Sequence, residues 1–250
     1  MRVTVLGKSP SWQDAGGACS GYLVHQGDFT LLLDCGSGVF SKLRATCDYA
    51  EVDAVLVSHM HSDHFIDLVP FSNALCFGPR RLPRPAAHLP PGGAQVLRRA
   101  AAFGGMAGLA DDAFQISEYD PAGALALGPL QVAFRPVPHY IPANAVSLSA
   151  GGVRFVFSAD CGPSEELVRF AGGCDLLLIE ATVEHGDDRG DPPGHMTPRE
   201  AGEHGRRAGA RRLVVTHFSD ELDLDGHRTE AEAGFGRPVE LAHEGGVYEL

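Results

Sequence analysis

A chain of 250 residues with 44% hydrophobic and 21% charged side chains has the composition of a folded globular domain, long enough to bury a substantial core in one domain spanning 1–250. Its formal net charge of −12 opposes sequence-independent attachment to nucleic-acid phosphates, so a small substrate is expected and a stable nucleic-acid complex is not. No apolar run reaches the roughly 20 residues of a membrane-spanning helix, the start reads as a strand rather than a signal peptide, and six scattered cysteines form no C-x-x-C pair; a cytoplasmic chain with free thiols and no membrane partner is expected.

Val, Leu, Phe and Thr dominate the runs 2–6, 21–25, 29–34 and 52–58, as buried strands demand. Between them, 37–46 carries Val39, Phe40 and Leu43 on one side and predicts a helix. Residues 65–75 predict another, with Pro70 as a kink or start. The Pro- and Arg-rich stretch 77–87 reads as an exposed or cleft-bordering loop, and 94–103 as a helix. Strands follow at 130–136, 145–150 and 153–158, the last two joined by a tight Gly151-Gly152 turn. Then come a capped helix at 164–170, a buried strand at 176–179, and a helix at 197–208 whose Thr197-Pro198-Arg199-Glu200 start has capping-box character. Strands at 213–216 and 239–241 close the sheet. Two clusters of strands, each supplemented by helices, predict an α/β (α+β) fold, a four-layer αββα sandwich, rather than a doubly wound sheet. Residues 77–125 match no motif.

At the end of one apolar strand, His59-Met60-His61-Ser62-Asp63-His64 packs four metal-capable side chains into six residues. Imidazole nitrogen and carboxylate oxygen suit a borderline divalent ion, with zinc first and manganese or iron as alternatives. A single ion seldom uses four such close ligands and still needs more, so the spacing points to two neighbouring ions. His25, His88, His185, His204, His227 and His243 lack the pattern and read as surface or packing residues.

H-x-H-x-D-H after a strand resembles the signature of the metallo-β-lactamase fold, and the resemblance runs almost end to end. Pro136-Val137-Pro138-His139 resembles that family's third histidine, Phe157-Ser158-Ala159-Asp160 its bridging aspartate and Val214-Val215-Thr216-His217 its last histidine. The Leu32-Leu33-Asp34-Cys35-Gly36 run resembles its supporting aspartate strand. The resemblance implies that His59, His61 and His139 hold one ion, that Asp63, His64 and His217 hold the other, and that Asp160 bridges them. It also implies a shared hydroxide as nucleophile, oriented by Asp63.

Glu180-Ala181-Thr182 with Gly194-His195-Met196-Thr197 is similar to the ribonuclease Z and phosphodiesterase branch. That likeness implies a His195 that donates a proton to the leaving alkoxide or holds a phosphate oxygen, with Glu180 orienting its ring. Residues 140–159 leave no room for the tRNA-gripping arm of ribonuclease Z. The resemblance therefore narrows to compact bacterial cyclic-nucleotide phosphodiesterases and implies a small phosphodiester such as 3',5'-cyclic AMP, and it is compatible with a homodimer. Hydrolysis of an ester, lactone or thioester is the alternative; tRNA 3'-end cleavage and a non-catalytic sensor are weaker ones. Ser9, Trp12 and Gln13 are expected at the mouth, and Arg80, Arg81 and Arg84 either face a phosphate or belong to a solvated loop.

Overall fold

Residues 1–187 and 189–250 are described by a computed structural model. The first half supplies β1 (Arg2–Gly7), β2 (Gly21–Gln26), β3 (Phe29–Leu33), β4 (Ala54–Leu56), β5 (Ala86–Leu89) and β6 (Gln115–Glu118), with α1 (Val39–Thr46), α2 (Ser62–Phe65), α3 (Leu68–Phe77), α4 (Gly93–Ala102) and α5 (Leu109–Ala113) between them. The second half supplies β7 (Ala124–Leu127), β8 (Leu130–Val137), β9 (Ala143–Ala150), β10 (Val153–Phe157), β11 (Leu176–Glu180), β12 (Arg212–Thr216) and β13 (Glu240–Leu241), with α6 (Glu165–Phe170), α7 (Pro198–Ala208) and α8 (Leu224–Phe235). Last comes β14 (Val247–Glu249), which returns to the first sheet beside β1. Two seven-stranded sheets result, ordered β14-β1-β2-β3-β4-β5-β6 and β13-β12-β11-β10-β9-β8-β7.

Alternation along the strands builds the layers. In β3, Leu31 and Leu33 pack with Phe155, Phe157, Leu176 and Leu178 between the sheets, while Leu32 turns outward against Val39, Leu43 and Phe71. The outer face of the second sheet does likewise, with Leu177, Ile179 and Val215 under Leu167, Ala201 and Phe235. Strands apolar on both faces thus place helices outside both sheets, the expected αββα sandwich.

β3 through β6 run parallel, as do β10 through β13. The chain leaves β4 toward His59, β10 toward Asp160 and β12 toward His217, while Glu180 ends β11. Loops following the carboxyl ends of parallel strands share one edge, which is where open α/β sheets assemble sites.

Several elements differ from expectation. The helix expected at 65–75 begins at Leu68 as α3, Phe65 instead closing the one-turn α2, and Pro70 falls in the first turn of α3, where its missing N–H removes no helical bond. The loop expected to 87 ends sooner, because Ala86 and Ala87 already pair in β5. β5, β6, α5, β7, α8 and β14 were not expected. Glycine explains α8: a Cβ on Gly202 of α7 would lie 2.1 Å from Ala231 O, and one on Gly234 2.2 Å from Arg199 O. Those residues weaken helix propensity while permitting close helix contact. The Thr197/Glu200 capping box, the Ser164 cap and the Gly151-Gly152 turn, with φ of 59° and 85°, stand as predicted. No helix among the described residues is long and apolar enough to cross a membrane.

Candidate metal centre

Three non-glycine residues among those described adopt left-handed backbone: Asp34 (φ 58°), Ala159 (φ 54°) and His217 (φ 59°). Each follows a strand that points at the same edge, and such backbone costs on the order of 1–3 kcal/mol unless its surroundings hold it. Here hydrogen bonds hold it. Asp34 accepts Ser58 N at 2.7 Å and Ser58 Oγ at 2.8 Å, pinning the exit of β4, and Tyr119 Oη donates to Val57 O at 3.0 Å. Cys35 N donates to His64 O at 2.7 Å, an approach that needs glycine next door, since a Cβ on Gly36 would stand 1.8 Å from Asp63 O.

The seven expected ligands converge. His59, His61, His139 and Asp160 form one group, and Asp63, His64, Asp160 and His217 a second, with the offered atoms of each group within 4.8 Å of one another. Asp160 Oδ2 lies 3.7 Å from both His59 Nε2 and His139 Nε2. Its other oxygen, Oδ1, lies 3.2 Å from His64 Nε2 and 3.4 Å from His217 Nε2. His61 Nδ1 and His139 Nε2 approach to 2.9 Å, and His217 Nε2 and Asp63 Oδ2 to 3.3 Å.

Two buried carboxylates orient these rings from behind. His64 Nδ1 donates to Asp34 Oδ2 at 2.7 Å; His59 Nδ1 reaches the same carboxylate through Ser58 Oγ at 3.1 Å. Across the site, His195 Nδ1 donates to Glu180 Oε1 at 2.8 Å, and His217 Nδ1 reaches Glu180 Oε2 through Thr182 Oγ1, at 2.8 Å and 2.7 Å. His139 Nδ1 donates to Gly194 O at 2.8 Å. With the Nδ1 protons of His59, His64, His139 and His217 so engaged, their Nε2 lone pairs face the cluster.

Three atoms of the cluster, His59 Nε2, His64 Nε2 and Asp160 Oδ1, are buried without a hydrogen-bond partner. Each such group costs about 1–3 kcal/mol when left unmet. Converging nitrogen and carboxylate donors of this kind fit a divalent cation, which satisfies all three. Without a cation, burial opposes the charged His64 ring, but the Asp160 and Asp34 carboxylates raise it well above its ordinary value, so a cation bound there would displace a proton from it; the other groups suit a cation directly. Burial pushes the Asp63 carboxyl up, but the His217 imidazole against it and the nearby His64 hold it at about 2. Burial likewise opposes ionisation of Asp160, and His217, His64 and His59 outweigh it, keeping that carboxyl well below its usual range. Burial drives His59, His61 and His139 below the ordinary imidazole value, which leaves their lone pairs free.

Glu180, His195 and His217 form a third group. Burial draws His195 down, yet the hydrogen bond and charge of Glu180 leave it raised. The ring borders a cavity of about 480 Å³ together with Trp12, Asp63, Tyr140, Asp160 and Arg189.

Trp12 is therefore at the mouth as expected, but Ser9 and Gln13 are not. Ser9 is buried and donates through Oγ to Asp14 at 2.8 Å, and Gln13 turns away to Ser37 Oγ at 2.5 Å. Arg80 pairs with Asp48 at 2.6 Å, and neither it nor Arg81 or Arg84 lines the cavity, so these belong to a solvated loop. Asp34 supports His64 as expected. Tyr140, Asp187 and Arg189 were missed; adjacency to His139 was the one signal for Tyr140.

Among the remaining histidines, His204 packs inside, accepting Ser164 N at 2.9 Å. His227 is also buried, and burial pushes its pKa down to about 4. Folding therefore requires the neutral ring, so its contribution to stability is complete above about 6.5 and is lost as pH falls toward 4. Urea unfolding at pH 7.5 and 4.5 is expected to show wild type losing about 2–3 kcal/mol more than His227→Leu. Equal losses would disprove the assignment.

Two mixed sheets between helix layers, with a histidine–aspartate cluster where their strand ends meet, define a metal-dependent hydrolase of the metallo-β-lactamase fold. The chain belongs to the family described as "Beta-lactamase superfamily domain", which matches residues 30–218. It is 32% identical to the Probable metallo-hydrolase YhfI of Bacillus subtilis, covering 100% of both chains. To a Ribonuclease Z of Myxococcus xanthus it is 29% identical, over 100% of this chain and 98% of that one. The crystal structure of the metallo-beta-lactamase fold protein YhfI superposes with a TM-score of 0.88 at 30% identity, covering 99% of this chain and 98% of the other.

Proposed function

We propose that the chain is a dinuclear metal-dependent phosphodiesterase acting on a small phosphodiester, with 3',5'-cyclic AMP the leading candidate. The observation that carries this reading is the Glu180–His195 pair: an imidazole held at 2.8 Å by a buried carboxylate, raised toward its protonated form, and facing the cavity beside both ligand groups. That is where a leaving alkoxide needs a proton.

Two divalent cations, zinc by donor type with manganese or iron as alternatives, would when bound supply Lewis-acid polarisation of phosphoryl oxygens and an acidified water. The protein does the rest. His59, His61 and His139 define one side, Asp63, His64 and His217 the other, and Asp160 fixes their separation. His195 protonates the departing ribose oxygen, and Glu180 keeps its ring aimed. The relationship to a ribonuclease supports phosphodiester chemistry. A small substrate is favoured by the cavity of about 480 Å³, by the net charge of −12, and by a segment between His139 and Asp160 filled by β9 and β10, where a tRNA-gripping arm would stand.

Metal-loaded protein assayed side by side with 3',5'-cyclic AMP, bis-p-nitrophenyl phosphate, a lactone, a thioester and a precursor tRNA is expected to favour the cyclic nucleotide and to lose turnover on chelation. Turnover of lactone or thioester with every phosphodiester untouched would overturn the reading, as would undiminished activity in a chelated sample.

A further inference from the structure

The wall of the cavity beside the ligand groups is built around Asp187, whose partners Tyr140 and Arg189 line it. Its side chain is only 1% exposed. Oδ2 accepts Gly194 N at 3.0 Å, His195 N at 3.1 Å and the hydroxyl of Tyr140; Oδ1 accepts Arg189 N at 3.1 Å and Arg189 Nε at 3.0 Å. One carboxylate thus joins the backbone of the proposed proton donor to two side chains that border the cavity.

Those side chains are exposed but fixed. Tyr140 is 40% exposed, yet its ring is seated so closely that a Cβ on Gly194 would meet it at 2.7 Å and one on Gly190 at 3.0 Å. The Arg189 guanidinium lies over that ring at 5.5 Å with its side chain 55% exposed. Arg189 is the one Lys or Arg among the described residues lining the cavity. With Nε committed to Asp187, its terminal amino groups remain as donors. A guanidinium held this way loses little side-chain entropy on gripping an anionic oxygen.

We propose that Asp187 is a positioning residue that couples recognition to proton donation, fixing Arg189 and Tyr140 as the substrate-gripping wall and the backbone of His195 as one unit. Naming the gripped group as a phosphoester oxygen rests on the phosphodiesterase reading. An aspartate serving only the loop fold has no need to hold a cavity-facing guanidinium.

Trp12 is the sole tryptophan, is 53% exposed and borders the same cavity, so its fluorescence reports binding there. Metal-loaded wild type, Arg189→Ala, Asp187→Asn, the double variant and Asp187→Ala are titrated with 5'-AMP, assayed on 3',5'-cyclic AMP, and checked for metal content. Arg189→Ala is expected to weaken 5'-AMP binding and raise KM by about tenfold with kcat within about threefold, the loss of one charge-assisted contact. Asp187→Asn keeps an acceptor oxygen for the Gly194 and His195 N–H groups but turns an amino group toward Arg189 N and Nε and loses the charge that fixes Arg189, so its KM follows Arg189→Ala while kcat holds. The double variant is expected to be no worse in KM than either single one, because both remove the same contact. Asp187→Ala also frees the His195 backbone and lowers kcat by about tenfold. Metal content stays at the wild-type level throughout.

Additive effects in the double variant overturn the proposal, as does Arg189→Ala binding 5'-AMP like wild type. Asp187→Asn losing metal and kcat together with KM also overturns it. Should Asp187→Ala fail to fold, the Arg189→Ala and Asp187→Asn cycle decides alone. If wild type turns over no phosphodiester, the phosphodiesterase reading fails, whereas non-additive, Arg189-dependent 5'-AMP binding still upholds the role of Asp187.

Discussion

Asp160→Ala is expected to yield a folded chain that retains no divalent metal and whose turnover falls by on the order of 10⁴-fold, about 5 kcal/mol of lost transition-state stabilisation. The size follows from geometry. Oδ2 of Asp160 faces His59 and His139 while Oδ1 faces His64 and His217, so one substitution takes a donor from both groups. It also removes a negative charge from a pocket crowded with imidazoles, where a cation depends on that charge. The fold should survive, because Asp160 Oδ1 makes no hydrogen bond that the protein would lose. His59→Ala provides the contrast: it takes a donor from one group only and is expected to lower the metal content from two ions toward one. Elemental analysis with circular dichroism tests both, and full metal content in Asp160→Ala would refute the bridging role.

Why the ligands were legible, and the wall beside them was not, comes down to distance along the chain. Four of the seven ligands sit within 59–64, where spacing alone exposes them. The other three follow strands whose carboxyl ends share one edge: Asp160 and His217 leave the parallel strands β10 and β12, and β8, two antiparallel steps from β10, runs the same way and delivers His139 there, so all three could be found by position. Asp187 offers no such handle. It lies in a Gly-, Pro- and Asp-rich run that reads as turn, and its partners arrive from Tyr140 on one side and Gly194-His195 on the other. Ser9 and Gln13 failed for a related reason. Asp14 accepts Lys8 Nζ, Ser9 Oγ, Ser219 Oγ and Asp220 N, folding the Trp12 loop onto the segment after His217 and drawing Ser9 inside. Short strands such as β6, largely exposed and polar, and a helix such as α8, carrying Gly226 and Gly234, depend on neighbours that no local pattern announces.

His195→Ala is expected to keep both ions and to lose turnover of 3',5'-cyclic AMP by about 10²–10⁴-fold, the range for removing a positioned general acid. His195 stands in neither of the two ligand groups that share Asp160, so metal content should not move. The leaving group then separates its two possible roles. A ribose alkoxide departs poorly without a proton, whereas p-nitrophenolate needs none. If His195 donates a proton, the variant loses far less activity on bis-p-nitrophenyl phosphate than on the cyclic nucleotide; if it only holds a phosphate oxygen, both fall together. Glu180→Gln refines the choice, because the amide can still accept from His195 Nδ1 while removing the charge that raises the ring. A proton donor so weakened shows its kcat loss at a lower pH than wild type, since less of the imidazolium survives near neutrality. Equal activity of His195→Ala and wild type on the cyclic nucleotide would remove this residue from the chemistry altogether.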